Sequence, residues 1–305
     1  MLNHNIFNPS INLIKYLKAY APDDYYIWPM AHLGDKSVFF SFLDPLSKLT
    51  GKKVRILTFE DYFEPLISFF PCLKENTIEL PKRPEIFLEK NITSTLWILR
   101  APQPTPGEIF FTWANSYSDG ALLQKWQNSN NKFFSHTNFV RHIFGLPNSV
   151  KPTLINIKKE EKKNKSILIA PFANYKNKKH DLDIFIKIAK ICRKNNYLII
   201  WNFDEKNWDK ANESFKNQIS NEDEIFFGEI HSLIKLALNS KIVISARSGF
   251  CELLSLSNSN YITVNQEGIN TYFWNLENLG SLPIFEIPNS QIGFEKFNEE
   301  INKIL

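Results

Sequence analysis

In the second half of the chain, short apolar runs alternate with helical patterns so regularly that few folds can accommodate them. Ser166-Ile167-Leu168-Ile169-Ala170, Tyr197-Leu198-Ile199-Ile200-Trp201, Glu224 to Phe227, Ile242-Val243-Ile244-Ser245 and Tyr261-Ile262-Thr263-Val264 read as strands. Several are continuously apolar and β-branched, the pattern of strands buried on both faces. Between them lie helical stretches: Asp181 to Lys194, with Ile184, Phe185, Ile188 and Ala189 on one face, then Asp204 to Gln218 and Glu229 to Leu238. Parallel strands need crossovers, and a helix per crossover covers the sheet on both sides. A final helix is expected over Phe294 to Leu305.

The first half repeats the alternation less clearly. Ile11, Leu13, Ile14 and Leu17 follow Pro9 and Ser10 at helical spacing, and Tyr25 to Met30 reads as a first strand. Ala31 to Lys36 reads as a turn, and Ser37 to Leu49 as a helix with Val38, Phe39, Phe42 and Leu46 inward. Gly51-Lys52-Lys53 closes that helix, and Val54 to Thr58 is a second strand. A helix over about Phe59 to Phe70 and a strand near Thr77 to Leu80 come next. Thr95 to Leu99 and Glu108 to Thr112 read as strands, Asp119-Gly120 as a turn, and Ala121 to about Gln127 as a helical piece. Phe133 to Phe144 carries His136, Arg141 and His142 among aromatics and takes no assignment. The Lys-rich stretch within Pro147 to Lys165 is the boundary. The expectation is therefore α/β, with two Rossmann-like doubly wound domains, 1–150 and 151–305, facing each other across a cleft. The closing helix is a candidate to return to the first domain. Open α/β sheets gather ligands at the carboxyl ends of their strands, so that cleft is where a ligand is expected.

The chain's 305 residues suffice for two cores of ordinary size. A hydrophobic fraction of 43% with 22% charged residues is that of a water-soluble globular protein. A net charge of +4 is too mild for nucleic acid, and segments such as Lys158-Lys159-Glu160-Glu161-Lys162-Lys163 read as solvated linker. Cys72, Cys192 and Cys251 have no metal-ligand spacing and leave one odd thiol, which points to reduced cysteines in a cytoplasm. No signal-peptide pattern and no membrane-spanning apolar run is visible. The reading is cytoplasmic, with peripheral contact at an anionic inner-membrane surface left open.

The stretch with chemistry in it is Ile242-Val243-Ile244-Ser245-Ala246-Arg247-Ser248-Gly249-Phe250-Cys251-Glu252. A strand ends in a Ser-Gly turn that opens a helix, and helix starts attract anions through exposed N–H groups and the macrodipole. A phosphate would rest on Ser248 and Gly249 beside Arg247, with Glu252 accepting from ribose hydroxyls. The other reading is an ordinary corner in which Ser248 caps the helix and Arg247 pairs with a structural carboxylate. Asn265 and Gln266 end the next strand and are further donor-contact candidates, and Cys251 reads as a small buried residue.

Three segments together resemble the glycosyltransferase family that includes the bacterial heptosyltransferases, built on the GT-B fold. Ala170-Pro171-Phe172-Ala173-Asn174-Tyr175-Lys176-Asn177-Lys178-Lys179-His180 is similar to the family's strand, Pro-Gly-Ala turn and Ser-Lys-Arg-Trp segment. Ser248 and Gly249 match its Asp-Ser-Gly-Pro-x-His-Leu turn, and Leu33-Gly34-Asp35 its Gly-Asp turn after the first strand. The departures are Arg247 for Asp, Glu252 for His and Phe172 for Gly. Arg-Ser-Gly after a strand also looks like the corresponding turn of some fucosyltransferases, so the donor nucleotide is left open. The resemblance implies an acceptor-binding first domain and a nucleotide-sugar-binding second domain. It places Lys178 on the donor phosphate and makes Asp35 the catalytic base; Gly34 and the neighbouring His32 are acceptor-side candidates. Asp35 as a helix cap and Lys178 as part of a solvated loop are the plainer alternatives, and His180 reads as a cap or surface residue.

The expected activity is a metal-independent, inverting transfer of a sugar from a nucleotide-sugar to a hydroxyl of a bacterial surface glycan or glycolipid. No Asp-x-Asp pair follows a strand and no His/Cys ligand cluster is seen, so neither metal nor cofactor is expected. The leaving diphosphate would then be stabilised by Lys178, Arg247 and backbone N–H groups. Two other readings use the same fold: a nucleotide-sugar epimerase, and a non-catalytic nucleotide-sugar or glycan-binding protein.

Overall fold

The computed structural model describes residues 21–29, 33–59, 65–80, 109–112, 135–157, 165–172, 182–211, 213–266, 275–301 and 303–304. The chain divides into two compact units, Met1–Thr153 with Thr271–Leu279, and Leu154–Asn270 with Gly280–Leu305.

The first unit is built on a four-stranded, wholly parallel sheet. Its strands are β1 (Tyr25–Pro29), β2 (Val54–Phe59), β3 (Thr77–Leu80) and β4 (Ile109–Thr112), in the order β3-β2-β1-β4. Tyr26, Ile27, Ile56 and Leu57 are completely buried, as strands covered on both faces require. Helix α1 (Leu33–Ser41) follows β1 directly, so Gly34 and Asp35, expected in a turn, lie inside its first turn. The single helix expected over Ser37 to Leu49 is two, α1 and α2 (Leu43–Thr50), broken at Phe42. Pro45 explains the break. It has no N–H to give to the Ser41 carbonyl, and that carbonyl accepts from the Thr153 amide at 2.7 Å instead. Helix α2 ends at Gly51, whose φ of 70° lets its N–H reach the Ser47 carbonyl.

The helix expected over Phe59 to Phe70 is replaced, where described, by the end of β2, a 3₁₀ segment (Pro65–Phe69) and the short α3 (Pro71–Lys74). Helix α4 (His136–Ile143) falls in the stretch left unassigned by the sequence. The calls over the first helix, Thr95 to Leu99, Asp119-Gly120 and Ala121 to Gln127 lie outside the described residues.

The second unit has a six-stranded parallel sheet: β5 (Ser166–Ala170), β6 (Leu198–Asn202), β7 (Glu224–Phe226), β8 (Ile242–Ala246), β9 (Tyr261–Asn265) and β10 (Glu286–Pro288). Their order is β10-β9-β8-β5-β6-β7, which is the doubly wound Rossmann order with its switch point between β5 and β8. β5 and β8 are buried along their whole length. Helix α5 (Asp183–Lys194) lays Ile184, Phe185, Ile188, Ala189 and Cys192 into the same core as Ile167, Ile169, Ile199 and Ile244. The helix expected over Asp204 to Gln218 is two short pieces, α6 (Glu205–Lys210) and α7 (Glu213–Lys216), and α8 (Ile230–Asn239) leads into β8. β10 was not anticipated; three residues are too few to leave a periodic signal. The closing helix α10 (Gln291–Ile301) packs on α5 and buries Phe297 and Ile301 in the second unit's own core.

A buried carboxylate ties the far side of this sheet. Asp223 accepts from Arg193 Nε at 2.8 Å and Nη2 at 2.5 Å, and from the Trp201 indole at 2.8 Å. That bond, with the attraction of Asp223, holds the Arg193 guanidinium above its ordinary value. No helix among the described residues is long and apolar enough to cross a membrane.

Candidate functional site

Two strand ends meet at the switch point of the second unit. Ala170 pairs with Ser245, so the chain leaves β5 at Pro171 and β8 at Arg247 along the same carboxyl edge. Such an edge is where open α/β sheets bind ligands, because the diverging helices leave a crevice there. Beyond Phe172 the loop with Lys178 and His180 lies outside the described residues.

After β8 the turn does what a capping serine does. Ser248 is in extended backbone, its hydroxyl accepts from the Phe250 amide at 3.3 Å, and α9 (Gly249–Leu256) begins. The Ser248 carbonyl accepts from the Cys251 amide at 2.9 Å. The two readings of Ser248 are compatible: the cap fixes the helix start at the same edge where an anion would sit.

Arg247 and Glu252, expected to meet the donor separately, meet each other. Nη1 donates to Oε2 at 3.1 Å and Nη2 to Oε1 at 2.8 Å, and each residue is 5% exposed. Nη1 also donates to the Ser248 carbonyl at 3.1 Å. A cation beside a helix N-terminus opposes the macrodipole, whereas a carboxylate in the first turn is favoured by it. The pair is neutral as a whole, so what Arg247 brings to this edge is a fixed fork of donors rather than net charge. Beneath the pair, Cys251 is completely buried, and burial pushes its thiol up while Arg247 pulls it down. Asn265, at the end of β9, donates to Glu286 at 2.6 Å, and Gln266 is 6% exposed.

In the first unit, Asp35 occupies the first turn of α1 and is 4% exposed; Gly34 beside it is buried, and His32 lies outside the described residues. Facing Asp35 is a residue that carries no motif and no expected role. His136, the first residue of α4, holds Nε2 at 3.7 Å from Asp35 Oδ1 and is 3% exposed. Its ring meets the edge of Phe39 at 6.2 Å and stacks on Phe139 at 6.4 Å. Ser135 caps this helix, accepting from the Asn138 amide at 3.2 Å. Arg141 anchors it, donating to the carbonyls of Val150 and Asn278 and to Asn138 Oδ1, with its guanidinium 5.0 Å from the Phe42 ring centre. Burial pulls the Arg141 guanidinium below its ordinary value. A histidine in an aromatic-rich stretch reads as core, and only the fold brings it to Asp35.

Among the described residues, no group of three or more His, Cys, Asp or Glu side chains is placed to hold a metal ion.

Solved structures with this architecture carry several activities. E. coli heptosyltransferase WaaC with ADP aligns over 92% of this chain and 100% of its own, at 11% identity and a TM-score of 0.61. A glycosyl transferase family 9 structure from Veillonella parvula aligns over 93% of this chain and 91% of its own, at 12% identity and a TM-score of 0.57. A putative UDP-N-acetylglucosamine 2-epimerase from Listeria monocytogenes aligns over 92% and 88%, at 9% identity and a TM-score of 0.50. No family model matches the sequence, and no curated protein matches it. The chain has the two-domain, Rossmann-like GT-B fold.

Proposed function

We propose that this chain is a glycosyltransferase whose second unit binds a nucleotide-sugar donor and whose first unit supplies the base. The observation behind this reading is the switch point: a serine-capped helix start and a locked arginine stand where β5 and β8 end together. The donor's diphosphate lies against Ser248 and Gly249, with Arg247 and Lys178 as side-chain donors. Glu252 reaches the ribose only at the expense of Arg247, so its first task is to hold that guanidinium. Lys178 is then the charge that offsets the leaving diphosphate, and the reaction is metal-independent.

Asp35 takes the proton of an acceptor hydroxyl as its oxygen attacks the anomeric carbon. The bond from that carbon to the diphosphate oxygen breaks, and the nucleotide diphosphate leaves with the electron pair. Attack opposite the leaving group inverts the anomeric centre. The acceptor is a bacterial surface glycan or glycolipid (lipopolysaccharide, lipooligosaccharide or capsule), modified in the cytoplasm or against the inner membrane. The structural neighbours named with ADP put an adenosine-linked donor among the first to test.

A second reading, epimerisation of a nucleotide-sugar, has the epimerase among the structural neighbours in its favour. One experiment treats both. A thermal-shift panel with UDP, GDP, ADP and CMP selects the nucleotide, and incubation with its sugars is followed by product analysis. Released nucleotide diphosphate and a lengthened glycan support transfer; an isomerised nucleotide-sugar with no release replaces it with epimerisation. A bound nucleotide with neither product leaves a binding protein.

A further inference from the structure

We propose that His136 is a positioning residue for the Asp35 carboxylate, resting on the reading of Asp35 as the base. The two come from different helices, and each stands in the first turn of its own, α1 and α4. Nε2 and Oδ1 are 3.7 Å apart with both side chains nearly excluded from solvent. At that distance the two polar atoms are a few tenths of an ångström from a direct hydrogen bond. Catalytic hydrogen bonds are often long before substrate arrives and shorten in the reacting complex.

The division of labour follows from position. Asp35 stands in the first turn after the carboxyl edge of β1, where a ligand of this sheet gathers. His136 touches both Asp35 and Phe39, which lie one turn apart on α1, so it packs along the helix body away from that edge. Phe139 stacks on the ring from within α4 and restricts its rotation. The helix is itself fixed by the Ser135 cap and by the three acceptors of Arg141. A carboxylate this deeply buried remains a charged base only where donors replace its lost hydration. The N-terminus of α1 and the imidazole are placed to do so. A group held from two sides is also held in one orientation, and orientation governs the rate of proton abstraction.

Two measurements on the full chain test this. In protein labelled with ¹⁵N-histidine, the His136 ring signals are those lost in His136→Asn. Asp35→Asn is expected to move them, and ring signals indifferent to Asp35→Asn overturn the pairing without reference to any activity. In sugar transfer with the donor found by the nucleotide panel, His136→Phe keeps the ring volume and removes the polar nitrogens. Its kcat is expected to fall about 10- to 100-fold, the scale of misplacing a reacting group by about 1 Å. Donor KM stays put, and His136→Asn, which retains an N–H donor, recovers part of the loss. A purely structural histidine would lower the melting temperature of both variants and leave kcat per folded molecule unchanged, and that result overturns the positioning role. Wild-type protein that transfers nothing from any donor defeats the glycosyltransferase reading instead, so the two failures are read on different proteins.

Discussion

The Arg247 guanidinium holds both oxygens of Glu252, at 2.8 and 3.1 Å, inside the turn that joins β8 to α9. Breaking a buried pair leaves one charge without its partner, at a cost of about 3–5 kcal/mol, whereas apolar replacement of both members is often neutral. Arg247→Ala and Glu252→Ala are therefore each expected to lower stability by about that amount in denaturant unfolding, and Arg247→Met with Glu252→Leu to restore it. A double variant no more stable than either single one would mean that the pair does more than compensate itself.

The same double variant separates architecture from binding. With the fold intact and the donor fork gone, the nucleotide diphosphate selected by thermal shift is expected to bind more weakly by about 1–3 kcal/mol, the scale of lost charge-assisted hydrogen bonds. Calorimetry giving the wild-type affinity takes Arg247 out of the donor site.

For Asp35, the informative variant is Asp35→Asn, which keeps the size and the helix-start preference but not the basicity. Turnover is expected to fall by at least about 10²-fold, within the range for loss of a general base, while donor affinity in calorimetry is unchanged. A normal rate moves the base elsewhere, with His32 the next residue to substitute.

Cys192 gives a pH prediction. Burial pushes its thiol up to about 12 from an ordinary value of 9.0. The folded chain thus keeps a proton that the unfolded chain gives up, and stability contributed by this group is complete below pH 9 and is lost as pH rises towards 12. Unfolding free energy should decline by about 1.4 kcal/mol per pH unit across that window from this group alone, and Cys192→Ala should flatten the decline. A slope identical in the variant assigns the alkaline loss to other groups.

The sequence carried the second unit further than the first, for a physical reason. β5, β6, β8 and β9 are buried on both faces or nearly so, and each leaves a largely apolar run; β10, at the sheet's edge, has three residues and leaves none. The break between α1 and α2 was legible at Pro45 but was overridden by the apolar spacing on either side of it. The turn at Ser248-Gly249 and the helix that starts there were legible because both are local events. The union of Arg247 with Glu252 was half visible, since five residues around a turn bring their side chains together only once the helix start is fixed. His136 opposite Asp35 was not visible, because the separation along the chain between α1 and α4 carries no periodic signal.

The first unit is closed by residues that interrupt the second. Thr271–Leu279 belongs to it, with Leu276 and Leu279 buried and the Asn278 carbonyl accepting from Arg141. Synthesis on the ribosome delivers that segment last but for the final strand and helix of the second unit. The N-terminal unit must therefore wait, incompletely packed and with one Arg141 contact unmade, until most of its neighbour has been translated. Order of birth and order of completion are thus reversed, and a chain cut at the linker yields neither unit as it stands in the whole.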